Sequence, residues 1–121
     1  MDPIRLLDIR DTALDVAEVY AAVEGAHTGG IAVFVGTVRD HDGGRSVTEL
    51  EYSAHPTALT RLREVVDEVV AQHPVQAVAA VHRTGDLAIG DIAVIVAVAC
   101  AHRGDAFVAC RQLIDELKSR V

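Results

Sequence analysis

Two stretches of the chain are apolar at nearly every position. Residues 30–38 (GIAVFVGTV) and 92–100 (IAVIVAVAC) are rich in β-branched side chains. Each predicts a strand buried on both faces, and the first reads as a central strand. Residues 4–9 are a shorter strand candidate. Asp11-Thr12 then predicts a helix start, with Asp15 three residues beyond Thr12 in the manner of a capping box. That helix runs to about Glu24, where Gly25, Gly29 and Gly30 break it. Residues 39–45 (RDHDGGR) read as a polar loop. Residues 47–53 alternate, with Thr48, Leu50 and Tyr52 on one side and Glu49 and Glu51 on the other, which predicts a half-exposed strand.

Pro56 suits the first turn of a second helix. There Leu59, Leu62, Val65, Val66, Val69 and Val70 recur at the spacing of one buried face, and His73-Pro74 ends it. Residues 75–81 predict another strand, and Gly85 and Gly90-Asp91 punctuate a hairpin-like segment. Gly104-Asp105 opens the last helix, with Ala106, Phe107, Cys110, Leu113, Ile114 and Leu117 as its apolar face. The order β-α-β-β-α-β-β-α predicts one domain over residues 1–121, an α+β fold with helices packed on a mixed sheet.

Composition narrows the function. The 121 residues carry 11 Lys plus Arg against 18 Asp plus Glu, a net charge of −7. That balance argues against nucleic acid and against anionic membrane surfaces as partners. The charge is uneven. Residues 1–30 hold two Arg against six acids, whereas residues 101–121 hold four cations against three acids. The C-terminal stretch is therefore the place for an anionic ligand. No apolar run is long enough to span a bilayer, and the N-terminus lacks the pattern of a secretory leader, so a cytoplasmic protein is expected. Cys100 and Cys110 match no metal or redox spacing and read as buried free thiols.

Both strongly apolar strands run into cationic loops, Thr37-Val38-Arg39-Asp40-His41 and Ala101-His102-Arg103-Gly104. A strand that ends in His-Arg at a helix N-terminus brings together backbone N–H groups, a guanidinium and an imidazole, which suits an anion. The alternative is that Arg103 pairs with Asp105 and His102 serves as a cap. Lys118 is the one lysine among the 11 cations. A cation in the last helical turn complements the macrodipole. A lone lysine among arginines equally suits amine chemistry, since lysine can release a proton and arginine cannot. Asp40-His41-Asp42 lacks spaced partners for a metal. Cys100 and His102 lack a third group to orient a nucleophile and base.

The motifs GGIAVFVGTVRDHDGGRSVTELEYSAHP, VHRTGDLAIGD, AHRGDAF and LIDELKSR, in this order and spacing, resemble the large catalytic subunit of molybdopterin synthase over most of residues 25–121. The resemblance implies an α/β hammerhead fold and a homodimer. It implies that each protomer binds a small ubiquitin-like sulphur-carrier subunit, giving a heterotetramer. The carrier's C-terminal Gly-Gly thiocarboxylate would deliver sulphur to cyclic pyranopterin monophosphate, forming the dithiolene of molybdopterin. Substrate-binding positions would fall on Thr37, Val38, Arg39, His102, Arg103 and Lys118, with His102 and Arg103 supplied by the other protomer and Lys118 as the catalytic position. No cofactor or metal is expected.

The family pattern continues past LKSR with a Pro-aromatic-Trp-Lys stretch carrying a second lysine, and this sequence stops at Val121. Low activity is the expectation for a chain of this extent. Competing readings are a carrier-binding but catalytically impaired paralogue, an α+β module binding an anionic metabolite at Arg39 and Arg103, and a cysteine-dependent hydrolase at Cys100.

Overall fold

The computed structural model describes residues 2–42, 45–46, 49–52 and 56–121. The elements are β1 (Ile4–Arg10), α1 (Val16–Val23), β2 (Gly30–Thr37), β3 (His41–Asp42), β4 (Arg45–Ser46), β5 (Glu49–Tyr52), α2 (Ala58–Gln72), β6 (Val75–Arg83), β7 (Gly85–Ala88), β8 (Ile92–Cys100) and α3 (Arg103–Arg120). Four strands form the main sheet in the order β1-β6-β8-β2. β1 is parallel to β6, and the other two pairings are antiparallel. β3 pairs with β4 and β5 with β7, both antiparallel. The α+β class with a mixed sheet is the one the pattern predicts.

The central strands divide their side chains between two layers, because successive residues point to opposite faces. Val78, Ala80, Val96, Val98 and Cys100 pack with Leu62, Val65, Val66 and Val69 of α2 and with Ala106, Ala109 and Leu113 of α3. Ala77, Ala79, Val81, Ile95, Ala97 and Ala99 pack with Val19 and Val23 of α1 and with Leu14 before it. Alanine on both faces of β6 and β8 lets the helices approach the sheet closely.

The structure corrects the pattern at several points. β2 is the edge strand, not a central one. One of its faces packs under α3, but Val33 and Val35 on the other remain 39% and 37% exposed, because α1 lies over β6 and β8 and does not reach them. The cap of α1 is Asp15, whose side chain accepts from Ala17 N, so the helix starts at Val16 rather than after Thr12. Pro56 precedes α2, and Leu59 is exposed rather than part of the buried face. β7 pairs with β5 instead of folding back on β8. The predicted alternation at Thr48 and the paired glycines Gly43 and Gly44 lie outside the described residues.

Ion pairs tie the helices to the sheet and to each other. Arg10 on β1 donates to Asp8 at 2.7 Å and to Glu18 of α1 at 2.6 Å. Arg120 at the end of α3 binds Glu68 of α2 and Glu116 of its own helix. The guanidiniums hold the Glu18 and Glu68 carboxyls below the ordinary value. These pairs are exposed, so they orient elements more than they stabilise them. His73 bonds Gln112 at 2.6 Å, and Gln112 donates to Gln72 at 2.7 Å, so the C-terminal end of α2 lies against the middle of α3 and the two helices run antiparallel.

His82, half-buried near the end of β6, has its pKa lowered by burial. The unfolded chain therefore takes up that proton at a higher pH than the folded one, and stability rises with pH through this window. Urea midpoints are expected to fall as pH drops from 7 through about 6.5 to 5.5. The fall should be shallower in His82→Gln, and an unchanged slope in that variant would exclude His82 as its source.

Candidate functional site

The start of α3 is built on two glycines. Gly29 N donates to Cys100 O at 3.0 Å, which holds the loop before β2 against the end of β8. A Cβ on Gly29 would lie 2.0 Å from the Ala101 carbonyl oxygen, and one on Gly30 would lie 2.9 Å from Arg103 Cα. Only residues without a Cβ let the start of β2 pass this close to the first turn of the helix. His102 is the N-cap residue in extended conformation (φ −128°, ψ 142°), and its side chain makes no capping bond. Among the described residues Arg103 forms no ion pair, with Asp105 or any other acid. The alternative in which both side chains are consumed locally is therefore not realised.

An open cleft of about 480 Å³ lies there, lined by Gly29, Ala101, His102, Arg103, Gly104 and Phe107. The helix dipole, the free N–H groups of its first turn, a guanidinium and an imidazole share this cleft, an arrangement that suits an anionic oxygen. Spacing places Phe107 on the buried face of α3, but it is 64% exposed and forms part of the cleft wall. It sits one turn after Arg103. That i, i+4 relation was the available signal.

Thr37, Val38 and Arg39 lie at the other end of β2. Val38 is buried with Leu87 and Ala93. Its N–H donates to Asp91 O at 3.0 Å, and its carbonyl accepts from Gly90 N at 2.8 Å. Those partners belong to a tight turn in which Asp91 N donates to Ala88 O at 3.0 Å and Gly90 takes φ +90°. This is the left-handed position that a type II turn reserves for glycine. The Asp91 carboxylate accepts from Ala88 N at 2.9 Å and meets Arg83 at 3.5 Å. The segment VHRTGDLAIGD is thus a platform: it clamps Val38 and leaves Thr37 and Arg39 exposed on either side. Sequence reasoning gives Arg83 no role and reads Asp91 only as part of a turn.

Lys118 is exposed in the last turn of α3. The helix packs along β2 and β8 with its start at Gly30, so its far end extends toward Thr37. The fifteen residue-to-residue steps from Arg103 to Lys118 span about 22 Å of helix. One chain therefore brings Lys118 toward the end that carries Thr37 and Arg39, and leaves His102 and Arg103 at the opposite end. Arg10, Arg83, Arg111 and Arg120 are all in ion pairs. Arg39, Arg103 and Lys118 have no ion-pair partner among the described residues, a property they share with Arg5 of β1 and with Arg61 and Arg63 of α2.

Cys100 and Cys110 are free and buried. Burial raises both thiols, that of Cys110 to about 11, so neither is a thiolate near neutral pH. This argues against a cysteine nucleophile. Alkylation of the native protein by iodoacetamide at pH 8 is expected to be at least tenfold slower than that of the urea-unfolded chain. Equal rates would show the thiols to be accessible. Among the described residues no three His, Cys, Asp or Glu side chains are grouped to hold a metal.

Helices on both faces of a mixed sheet define an α+β hammerhead domain, with cations that have no ion-pair partner among the described residues at both ends of its edge strand. The chain belongs to the MoaE protein family, whose model matches residues 9–120, and thus to the catalytic subunits of molybdopterin synthase, enzymes of molybdenum cofactor biosynthesis. It is 44% identical over 114 residues to the molybdopterin synthase catalytic subunit 1 of Mycobacterium tuberculosis, an alignment covering 93% of this chain and 78% of that one. It is 40% identical over 121 residues to the catalytic subunit of Oryza sativa subsp. indica, of which the match spans 63%. The crystal structure of molybdopterin synthase from Staphylococcus aureus superposes with a TM-score of 0.88 at 32% identity, covering 95% of this chain and 85% of that chain.

Proposed function

We propose that this protein transfers sulphur from the thiocarboxylated C-terminus of a small ubiquitin-like carrier to cyclic pyranopterin monophosphate. It acts as a homodimer, within a heterotetramer, in the cytoplasm. Family membership supports the reaction. The observation that carries the site is the separation of its cations along α3: two partial sites, about 22 Å apart, each with anion-binding groups and no internal partner. In the dimer, Thr37, Arg39 and Lys118 of one protomer and His102 and Arg103 of its partner form one complete site, and two such sites exist.

The chemistry follows from the charges. Arg39, His102 and Arg103 supply charge-assisted donors to the substrate phosphate. The carrier's thiocarboxylate is also an anion and enters the same positive field. The thiocarboxylate sulphur displaces an oxygen substituent of the pterin side chain to give a thioester. Water then attacks its carbonyl carbon, negative charge develops on the carbonyl oxygen, and the acyl C–S bond breaks to leave sulphur on the pterin and a carboxylate on the carrier. The Lys118 ammonium stabilises that charge, and its amine relays protons as the carrier is released. Val38, with both backbone groups engaged, positions Thr37 and Arg39.

The test is reconstitution of the full-length protein with cyclic pyranopterin monophosphate and carrier bearing either a C-terminal thiocarboxylate or a carboxylate. Dithiolene product is expected with the first alone. Carrier binding without product overturns this reading in favour of a non-catalytic paralogue. Binding of small anions with no affinity for carrier overturns it in favour of a metabolite-binding module.

A further inference from the structure

The Thr37 end of β2 has few ties to the sheet. The ladder between β2 and β8 shifts register between Gly36 and Thr37, where the strand ends. Beyond it, Val38 N donates to Asp91 O at 3.0 Å and Val38 O accepts from Gly90 N at 2.8 Å. The Val38 side chain packs with Leu87 and Ala93 in a small cluster, apart from those that join the helices to the sheet. So small a cluster buries little apolar surface. The geometry of Thr37 and Arg39 therefore rests on the turn over residues 88–91 that grips Val38.

That turn is tied to the centre of the sheet through Asp91. Its Oδ2 accepts from Ala88 N at 2.9 Å and meets Arg83 Nη1 at 3.5 Å. Arg83 is the last residue of β6, a strand flanked by β1 and β8. Beside it, Thr84 N donates to Arg10 O at 2.7 Å, which fixes the end of β6 against β1. The Arg83 side chain is only 20% exposed, and its Nε is buried with no hydrogen-bond partner among the described residues. A guanidinium held this way costs free energy, and a partly buried ion pair offsets little of it. What the pair supplies is a fixed span between a central strand and the turn.

Building on the proposed binding of the substrate phosphate by Arg39, we infer that Arg83 and Asp91 are positioning residues for the arm that carries Arg39. The chain of contact runs from β6 through the Arg83 guanidinium to the Asp91 carboxylate. It continues through the backbone of Asp91 and Gly90 to Val38, and so to Arg39. Arg39 is thereby aimed before substrate arrives, which lowers the entropy lost on binding. Lys118 stands on α3, outside this chain of contact. Loosening the tie weakens substrate binding and leaves the chemical step alone.

The test uses the full-length protein with thiocarboxylated carrier. Asp91→Asn keeps an oxygen for Ala88 N and removes the charge that faces Arg83. Arg83→Met keeps bulk and removes the guanidinium. Each is expected to raise KM for cyclic pyranopterin monophosphate about tenfold, with kcat and carrier affinity within about twofold of normal. Asp91 is partly exposed, so its variant should fold even where Arg83→Met does not. The double variant Arg39→Ala with Asp91→Asn should show the KM of Arg39→Ala alone, because the tie acts through Arg39. KM effects that multiply, or a fall in kcat with KM unchanged, overturn the proposal. Amide hydrogen exchange reads the tie without catalysis. Exchange at Val38 and Gly90 should quicken about tenfold in Asp91→Asn while Val96 and Val98 stay protected. Unchanged exchange at Val38, or faster exchange at all four amides, overturns the proposal whatever the activity. Faster exchange confined to Val38 and Gly90 in a protein that makes no product supports the tie and overturns only the sulphur-transfer reading.

Discussion

Lys118→Ala is expected to lower sulphur transfer by about a hundredfold or more while leaving carrier binding and thermal stability nearly unchanged. The size follows from removing a cation aimed at charge that develops in the transition state. The silence in stability follows from the structure: Lys118 is exposed, and no ion pair or hydrogen bond is lost with it among the described residues. Surface substitutions of this kind stay within about 0.5 kcal/mol. Lys118→Arg separates the two roles assigned to the amine, because it keeps the charge and removes the proton that can be released. Activity near normal in Lys118→Arg would reduce the role to electrostatics. Near-normal activity in Lys118→Ala would remove Lys118 from the mechanism. Carrier affinity by calorimetry and single-turnover product formation supply the two readouts.

Gly29→Ala is expected to destabilise the fold by about 3 kcal/mol, the upper part of the range for overpacking, because the new methyl meets backbone rather than a side chain that can turn away. Its Cβ would stand 2.0 Å from the Ala101 carbonyl oxygen. The strand or the helix start must move, and His102 and Arg103 move with it. Even where the variant remains folded, substrate affinity should fall. Gly104→Ala provides the opposite sign. A Cβ at Gly104 meets nothing within 4 Å and occupies a helical position. Alanine there should stabilise by about 0.5–1 kcal/mol. Urea denaturation of both variants reads the contrast, and equal effects from the two substitutions would refute this account of the Gly29–Gly30 packing.

The pattern of apolar positions was a good guide wherever one local rule decides the outcome. Ile92–Cys100 forms a strand over the span its composition predicts, because β-branched and small apolar residues suit a strand covered on both faces. The last helix begins and ends within a residue or two of its predicted span. Errors arose where neighbours decide. Residues 30–37 are as apolar as residues 92–100, yet one strand is central and the other is the edge, and nothing in either segment records which strands flank it. Phe107 has helical spacing suited to the core. It points out because α3 sits at the border of the sheet, where one flank is left uncovered among the described residues.

By itself the sequence determined the fold class, the family, and the identity of the cationic positions, since periodicity, glycine placement and motif order are properties of the chain. The tertiary structure alone decided how those cations are arranged. α3 is a rigid rod, and its length holds Arg103 and Lys118 at opposite ends of the same flank. Proximity within the site is therefore a matter of packing and of the edge strand beside that flank, and spacing along the chain does not encode it.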